Sequence, residues 1–285
     1  MTDFLNLLDV GEISTKLPPY ELHLDVYLIA AIWSLLYAMA FVRLAPKLGR
    51  SSRPSRFELT NHICAVLTFI VGSTWPIHDV SEKSMYFVHM IQHLSFVNLL
   101  TIFVIFSVPN WLARYIFVRK YVLVVMRYCT RFIPATIIFN LLIVIFHWPA
   151  FVDETLSSGV VHFFAHFAMV IGFIIVWMVV LSPVPELSRP TPLVQMIFLF
   201  FQSIIPTIPA SFLTLGTKPL YRIYESLPKL FSMSPIEDQQ AAGLIMKIGQ
   251  GLLIWCMICV IWFSWSNNEK KRELRFNSEK ANKLD

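Results

Sequence analysis

An all-α integral membrane protein, a seven-transmembrane-helix bundle with its N-terminus outside and its C-terminus cytoplasmic, is the fold class this sequence predicts. Three observations predict it. Hydrophobic residues make up 56% of the 285-residue chain and charged residues only 14%, whereas a soluble domain carries about a quarter charged residues. A soluble enzyme of this size is thereby excluded. The apolar residues fall into seven runs, each near the length of about 20 residues that a helix needs to cross the hydrocarbon core. Finally, the basic residues divide unequally between alternate connections, with 17 on one side and only Lys16, Lys83, Lys218, Arg222 and Lys229 on the other. The positive-inside rule makes the richer side cytoplasmic. The net charge of +5 therefore reports orientation, and no nucleic-acid partner is expected.

In chain order, residues 1–23 read as an external N-terminal tail, because Asp3, Asp9, Glu12 and Glu21 outweigh Lys16 and lack the positive start of a cleaved leader. The runs at about 24–45, 57–75, 84–107, 132–148, 159–181, 191–215 and 237–265 form one membrane domain over 24–265. The fourth is the shortest. Ahead of it, Trp111 to Arg131 mixes aromatics with five basic residues and reads as an interfacial helix, or else as an extension of the fourth span. The seventh run opens on Ser234-Pro235-Ile236-Glu237, an N-cap serine, N1 proline and N3 glutamate. Residues 266–285 are a basic cytoplasmic tail. Cys64, Cys256 and Cys259 fall in apolar runs and Cys129 among arginines, so no disulfide framework is expected.

Seven of the eight histidines fall in the predicted outer half, and only His62 on the inner side. Ionisable residues within a span are costly and usually face the bundle interior to perform a function. Met85, His89 and His93 follow one another at i, i+4 steps, which places them on one helix face. His162, His166 and Met169 repeat the device at i+4 and i+3 in the fifth run. Four imidazoles and two thioethers at one depth suit copper, since imidazole binds either oxidation state and thioether sulfur favours Cu(I). The competing structural reading is that such histidines only hydrogen-bond between helices and that methionine fills gaps. His23, His78 and His147, at the outer ends of their spans, are explained by interfacial placement. At the start of the seventh run, Asp238 is read as orienting a metal-bound imidazole, with Met246 further in. Lys247 invites a retinal Schiff-base reading, but beyond Glu58 at the cytoplasmic start of the second run no carboxylate lies inside the second, third or fourth span to balance it.

His89-Met-Ile-Gln92-His93, His162-Phe-Phe-Ala-His166, Leu181-Ser-Pro183-Val-Pro185, Lys218-Pro219-Leu220-Tyr221 and above all Asp238-Gln239-Gln240-Ala-Ala-Gly243-Leu-Ile-Met246 resemble, in order, the blocks of the CtaG-type cytochrome c oxidase assembly factors. These seven-span proteins are distinct from the single-span copper chaperone that shares the name. The resemblance implies a factor of the bacterial cytoplasmic (inner) membrane that helps to build a haem-copper oxidase and turns over no substrate. Its cargo would be copper, and its partners the oxidase subunits, a copper donor protein and membrane lipids. It supports His89, His93, His162, His166, Asp238, Gln239 and Met246, whereas Lys247 stands where the family carries an aromatic. The rivals are a haem-binding electron-transfer protein with one axial histidine from each of two spans, and a metal transporter, which would need polar residues continuing inward.

Overall fold

The computed structural model describes residues 17–187 and 189–281, so the predicted tail residues Asp3, Asp9, Glu12 and Lys16, and Lys283 at the other end, lie outside the described residues. Among those described, all regular structure is helical: α1 (Leu24–Leu44), α2 (Arg56–Ser73), α3 (Ile77–Lys83), α4 (Tyr86–Ser107), α5 (Asn110–Phe117), α6 (Lys120–Cys129), α7 (Phe132–Phe146), α8 (Pro149–Ser157), α9 (Gly159–Leu181), α10 (Pro192–Leu215), α11 (Arg222–Ser226) and α12 (Pro235–Lys280). Six helical segments are long and apolar enough to cross a membrane, with α2 and α3 counted as one, and α6 plus α7 raises the number to seven. α6 and α7 meet at 79°, so α6 joins the short fourth span only through a sharp bend. Its basic and aromatic residues thereby stay together at one end of the bundle.

The core lies where α4, α7, α9, α10 and α12 converge, around Phe139, Met169, Phe173, Trp177, Phe198, Leu199, Leu213 and Ile254. α1 sits at the periphery and leaves Leu28, Ile32 and Leu35 exposed, the pattern of a helix whose outer face meets lipid. Apolar surface facing lipid supplies no drive for association, so close fit and buried polar contacts must hold the helices together. Gly243 supplies the fit: a Cβ there would stand 2.9 Å from both Leu213 Cβ and Thr214 N, so glycine sets how closely α12 approaches α10. Asn98 Nδ2 supplies the polar contact by donating to Gln250 Oε1 at 2.8 Å, which ties α4 to α12. Each of these two helices contains a π-type stretch, Ser95–Leu100 in α4 and Ile245–Gly249 in α12. Such stretches occur frequently at functional sites.

Residues 216–234 fold across the end of the bundle that carries most of the histidines. Tyr224 donates to Ser81 O at 2.8 Å, Tyr221 to His147 O at 3.1 Å and Ser84 to Pro228 O at 2.7 Å. Burial pushes the Tyr221 phenol up to about 12 and the Tyr224 phenol well above its usual range, so both remain protonated donors at any ordinary pH. The predicted cap of the seventh span is present, with Ser234 and Glu237 bonding reciprocally to each other's backbone amides.

Candidate metal centre

The site is built by the first turns of α4 and α9. α4 begins at Tyr86 with no local side-chain cap, because Met85 at the N-cap position carries a thioether in place of the hydroxyl, amide or carboxylate oxygen that caps. Its first two amides, Tyr86 N and Phe87 N, instead donate to the carboxylate of Asp238 on α12, at 2.9 Å each. Asp238 is fully buried and also accepts from Lys229 Nζ at 2.8 Å. α12 therefore caps α4 from across the bundle, and that cap sets the height at which the α4 histidines stand.

His89 and His93 lie one turn apart on α4 with ring centroids at 4.1 Å, and His162 and His166 do the same on α9 at 4.3 Å. The two pairs face each other, with His93 4.5 Å and His89 5.8 Å from His166, and His89 5.9 Å from His162. One nitrogen from each of His89, His93 and His166 falls within 4.8 Å of the other two. Among them, His89 Nδ1 and His93 Nε2 are buried without a hydrogen-bond partner. Leaving such groups unpaired costs about 1–3 kcal/mol each, which a bound cation would offset.

His162 completes the arrangement. Its Nδ1 lies 2.6 Å from Glu82 Oε1, and since a carboxylate only accepts, Nδ1 carries the proton there. Nε2 then presents a lone pair toward His166 Nε2, 2.6 Å away. A carboxylate that fixes the tautomer of an imidazole in this way is a recurrent support of metal ligands. Glu82 belongs to α3, and the same oxygen lies 3.3 Å from His78 Nε2. His78 in turn approaches Gln92 Nε2 at 3.3 Å and has its ring 5.1 Å from that of His23, which pairs with Asp79 at 3.0 Å. His23, His78, Glu82, His162 and His166 all border one open cavity of about 350 Å³. His23 and His78, read from sequence as interfacial, thus line an approach to the buried cluster, while His147 does not border this cavity.

The methionines divide. Met169 borders a small cavity of about 20 Å³ together with all four histidines. Met246 borders a neighbouring one of about 30 Å³ with His93 and Met169. Met85 does not join them: it precedes the helix, so the i, i+4 stripe extrapolated back to it does not exist, and its sulfur accepts from Leu230 N at 3.3 Å in a separate apolar cluster. Asp238 likewise bonds to α4 amides and Lys229 rather than to any imidazole. Met90, unassigned from sequence, borders both small cavities; its i, i+3 step to His93 was the available signal. Lys247 is exposed on the outward side of α12 while Met246 is buried, so the cation points away from the site and the Schiff-base reading has no pocket to support it. All four cysteines are free.

Comparison with curated proteins and with solved structures finds no match. A family model, the cytochrome c oxidase caa3 assembly factor (Caa3_CtaG), matches residues 35–268. The matched stretch includes all four clustered histidines, the Asp238 cap and both π-type stretches. The chain belongs to the cytochrome c oxidase caa3 assembly factor family.

Proposed function

We propose that the protein holds copper at His89, His93 and His166, with His162 and Met169 completing the set, and passes it to a haem-copper oxidase during assembly without turning over a substrate. The observation that carries this reading is the convergence of one nitrogen from each of His89, His93 and His166 within 4.8 Å, in a cluster where His89 and His93 each keep a buried nitrogen without a hydrogen-bond partner. Imidazole with neighbouring thioether is a donor set for copper and a poor one for magnesium or calcium. A haem with one axial histidine from each helix fits badly, because the facing rings of α4 and α9 stand only 4.5–5.9 Å apart, too close to admit a porphyrin between them, and the cavities enclosed with the α4 histidines are about 20 and 30 Å³. Transport across the membrane is also disfavoured. Val97, Phe173, Val176, Trp177 and Ile254 pack in the buried core, with Trp177 Nε1 donating to Val97 O at 3.2 Å, and the buried polar pair beside Val97, Asn98 and Gln250, is tied to itself at 2.8 Å.

Copper analysis and visible spectra of the full chain, purified in mild detergent, test the proposal. Bound copper that falls on mutation of His89, His93 and His166 supports it, and a Soret band with no bound copper would overturn it. Glu82→Gln is expected to lower copper affinity by about 10- to 100-fold, because the uncharged amide supports the Nδ1–H of His162 more weakly and can equally donate to the other tautomer; a competition titration with a chelator reads the change. The placement of the site near the outer face of a bacterial inner membrane rests on the 17 to 5 split of basic residues. A cysteine introduced at Ser157 should react with an impermeant reagent on intact cells, and one at Ser278 only after permeabilisation. The reverse pattern would invert the orientation.

A further inference from the structure

His147 ends α7 and stands outside the cluster described above. Its Nδ1 lies 2.8 Å from Ile143 O, and a carbonyl only accepts, so in the neutral ring Nδ1 carries the proton and Nε2 holds the lone pair. That Nε2 is buried and has no hydrogen-bond partner. His147 borders the cavity of about 30 Å³ that His93 also borders, and His93 Nε2 is the second buried, unpaired nitrogen there. The same wall carries Met90, Met169 and Met246, with Gln250 as its one other polar side chain. A space of this size holds about one water or one ion. A water would find few donors or acceptors among thioethers and hydrocarbon, whereas two imidazoles and three thioethers suit a soft monovalent cation and discriminate against zinc.

On its other side His147 borders a cavity of about 570 Å³ together with Trp148, Phe212, Lys218 and Tyr221, between α7 and the end of α10. Phe212 on that border is 69% exposed, which marks the side of the bundle that faces outward. We propose that His147, with His93, Met90, Met169 and Met246, forms a second, soft-cation station through which Cu(I) leaves the His89–His93–His166 cluster sideways between α7 and α10. This inference rests on the reading of that cluster as the first station. His93 borders both stations, so the cation can change partners without crossing open hydrocarbon. The transfer is an exchange of neutral ligands at constant oxidation state, and no electron or proton need move.

Silver(I) is a redox-inert probe of the same softness. The full chain, with Cys64, Cys129, Cys256 and Cys259 replaced by Ser to remove competing thiols, is to be dialysed to equilibrium against Ag(I) and, separately, Zn(II). Two Ag(I) per chain are expected, one on His89, His162 and His166 and one on His147, Met90 and Met246, with the lone-pair nitrogen of His93 serving one of them at a time; the count falls to one in His147→Ala and in Met246→Leu, with Zn(II) uptake unchanged in both. Met246→Leu keeps volume and apolarity, so it remains informative if His147→Ala misfolds. His89→Ala combined with His166→Ala should remove the other equivalent. If His147→Ala and Met246→Leu both retain two equivalents, or the parent holds only one, the second station is overturned. If the His89 and His166 pair of substitutions removes none, it is the first-station reading that fails.

Discussion

Asp238→Ala is expected to destabilise the histidine-bearing end of the bundle, by an amount far above that of an ordinary capping substitution. The carboxylate is fully buried, satisfies the first two amides of α4 and neutralises Lys229, whose side chain is only 10% exposed. Its removal strands a buried ammonium and two helix-end donors at once. Breaking one side of a buried ion pair costs about 3–5 kcal/mol, against about 1 kcal/mol for a local cap. The check is the thermal transition and membrane abundance of the variant, together with copper per folded molecule. Stability should fall strongly while copper per folded molecule changes little. Asp238→Asn combined with Lys229→Gln, which leaves no charge unpaired, should recover part of the loss. The reading from sequence alone differs: there, loss of the charge that orients a metal-bound imidazole, as in Asp238→Asn, lowers metal affinity by about 10- to 100-fold in a normally folded protein. An unchanged melting temperature in Asp238→Ala with weakened copper binding would restore it.

The second large effect is expected at His93, which borders both small cavities and ends in a buried, unpaired Nε2. His93→Ala removes a ligand outright, so copper affinity should fall by more than the roughly 10- to 100-fold that loss of an orienting neighbour produces. Stability should respond little. The truncation opens a cavity, which is unfavourable, but it also removes an unsatisfied buried group whose own cost is about 1–3 kcal/mol. The two terms act in opposite directions and are similar in size. Copper retention after gel filtration reads the first effect and the thermal transition the second. A variant that keeps full copper, or one that loses copper only because it unfolds, would remove His93 from the site.

What the sequence disclosed follows from the range over which its signals act. Spans are written in local hydropathy, so the long helices stand near the predicted runs, and the i, i+4 histidine pairs were legible because helical spacing is local as well. The facing of α4 against α9 is a long-range fact that no run or spacing encodes. α3 escaped notice because Ile77–Lys83 is seven residues long and largely polar, and with it went Glu82, the support of His162. Met85 was misplaced for a related reason. The helix starts one residue after it, and the group that starts it is Asp238, 152 positions from Tyr86. The Ser234 cap was readable because its partner Glu237 is three residues away. Asp238 was singled out as more than a local cap, but its partners are backbone amides of a distant helix, and nothing in its neighbourhood names them. His147 presents the same limit, since its fixed tautomer is local but the methionines around it come from α4, α9 and α12.

The central claim is that copper sits among His89, His93 and His166. X-ray absorption of the copper-loaded full chain tests it most directly, with His89→Ala, His93→Ala and His166→Ala combined as the control. Two or three imidazole nitrogens with a sulfur contribution are expected around the copper, and that spectrum should be lost in the combined variant. A shell of oxygen ligands, or the same spectrum in the combined variant, would contradict it.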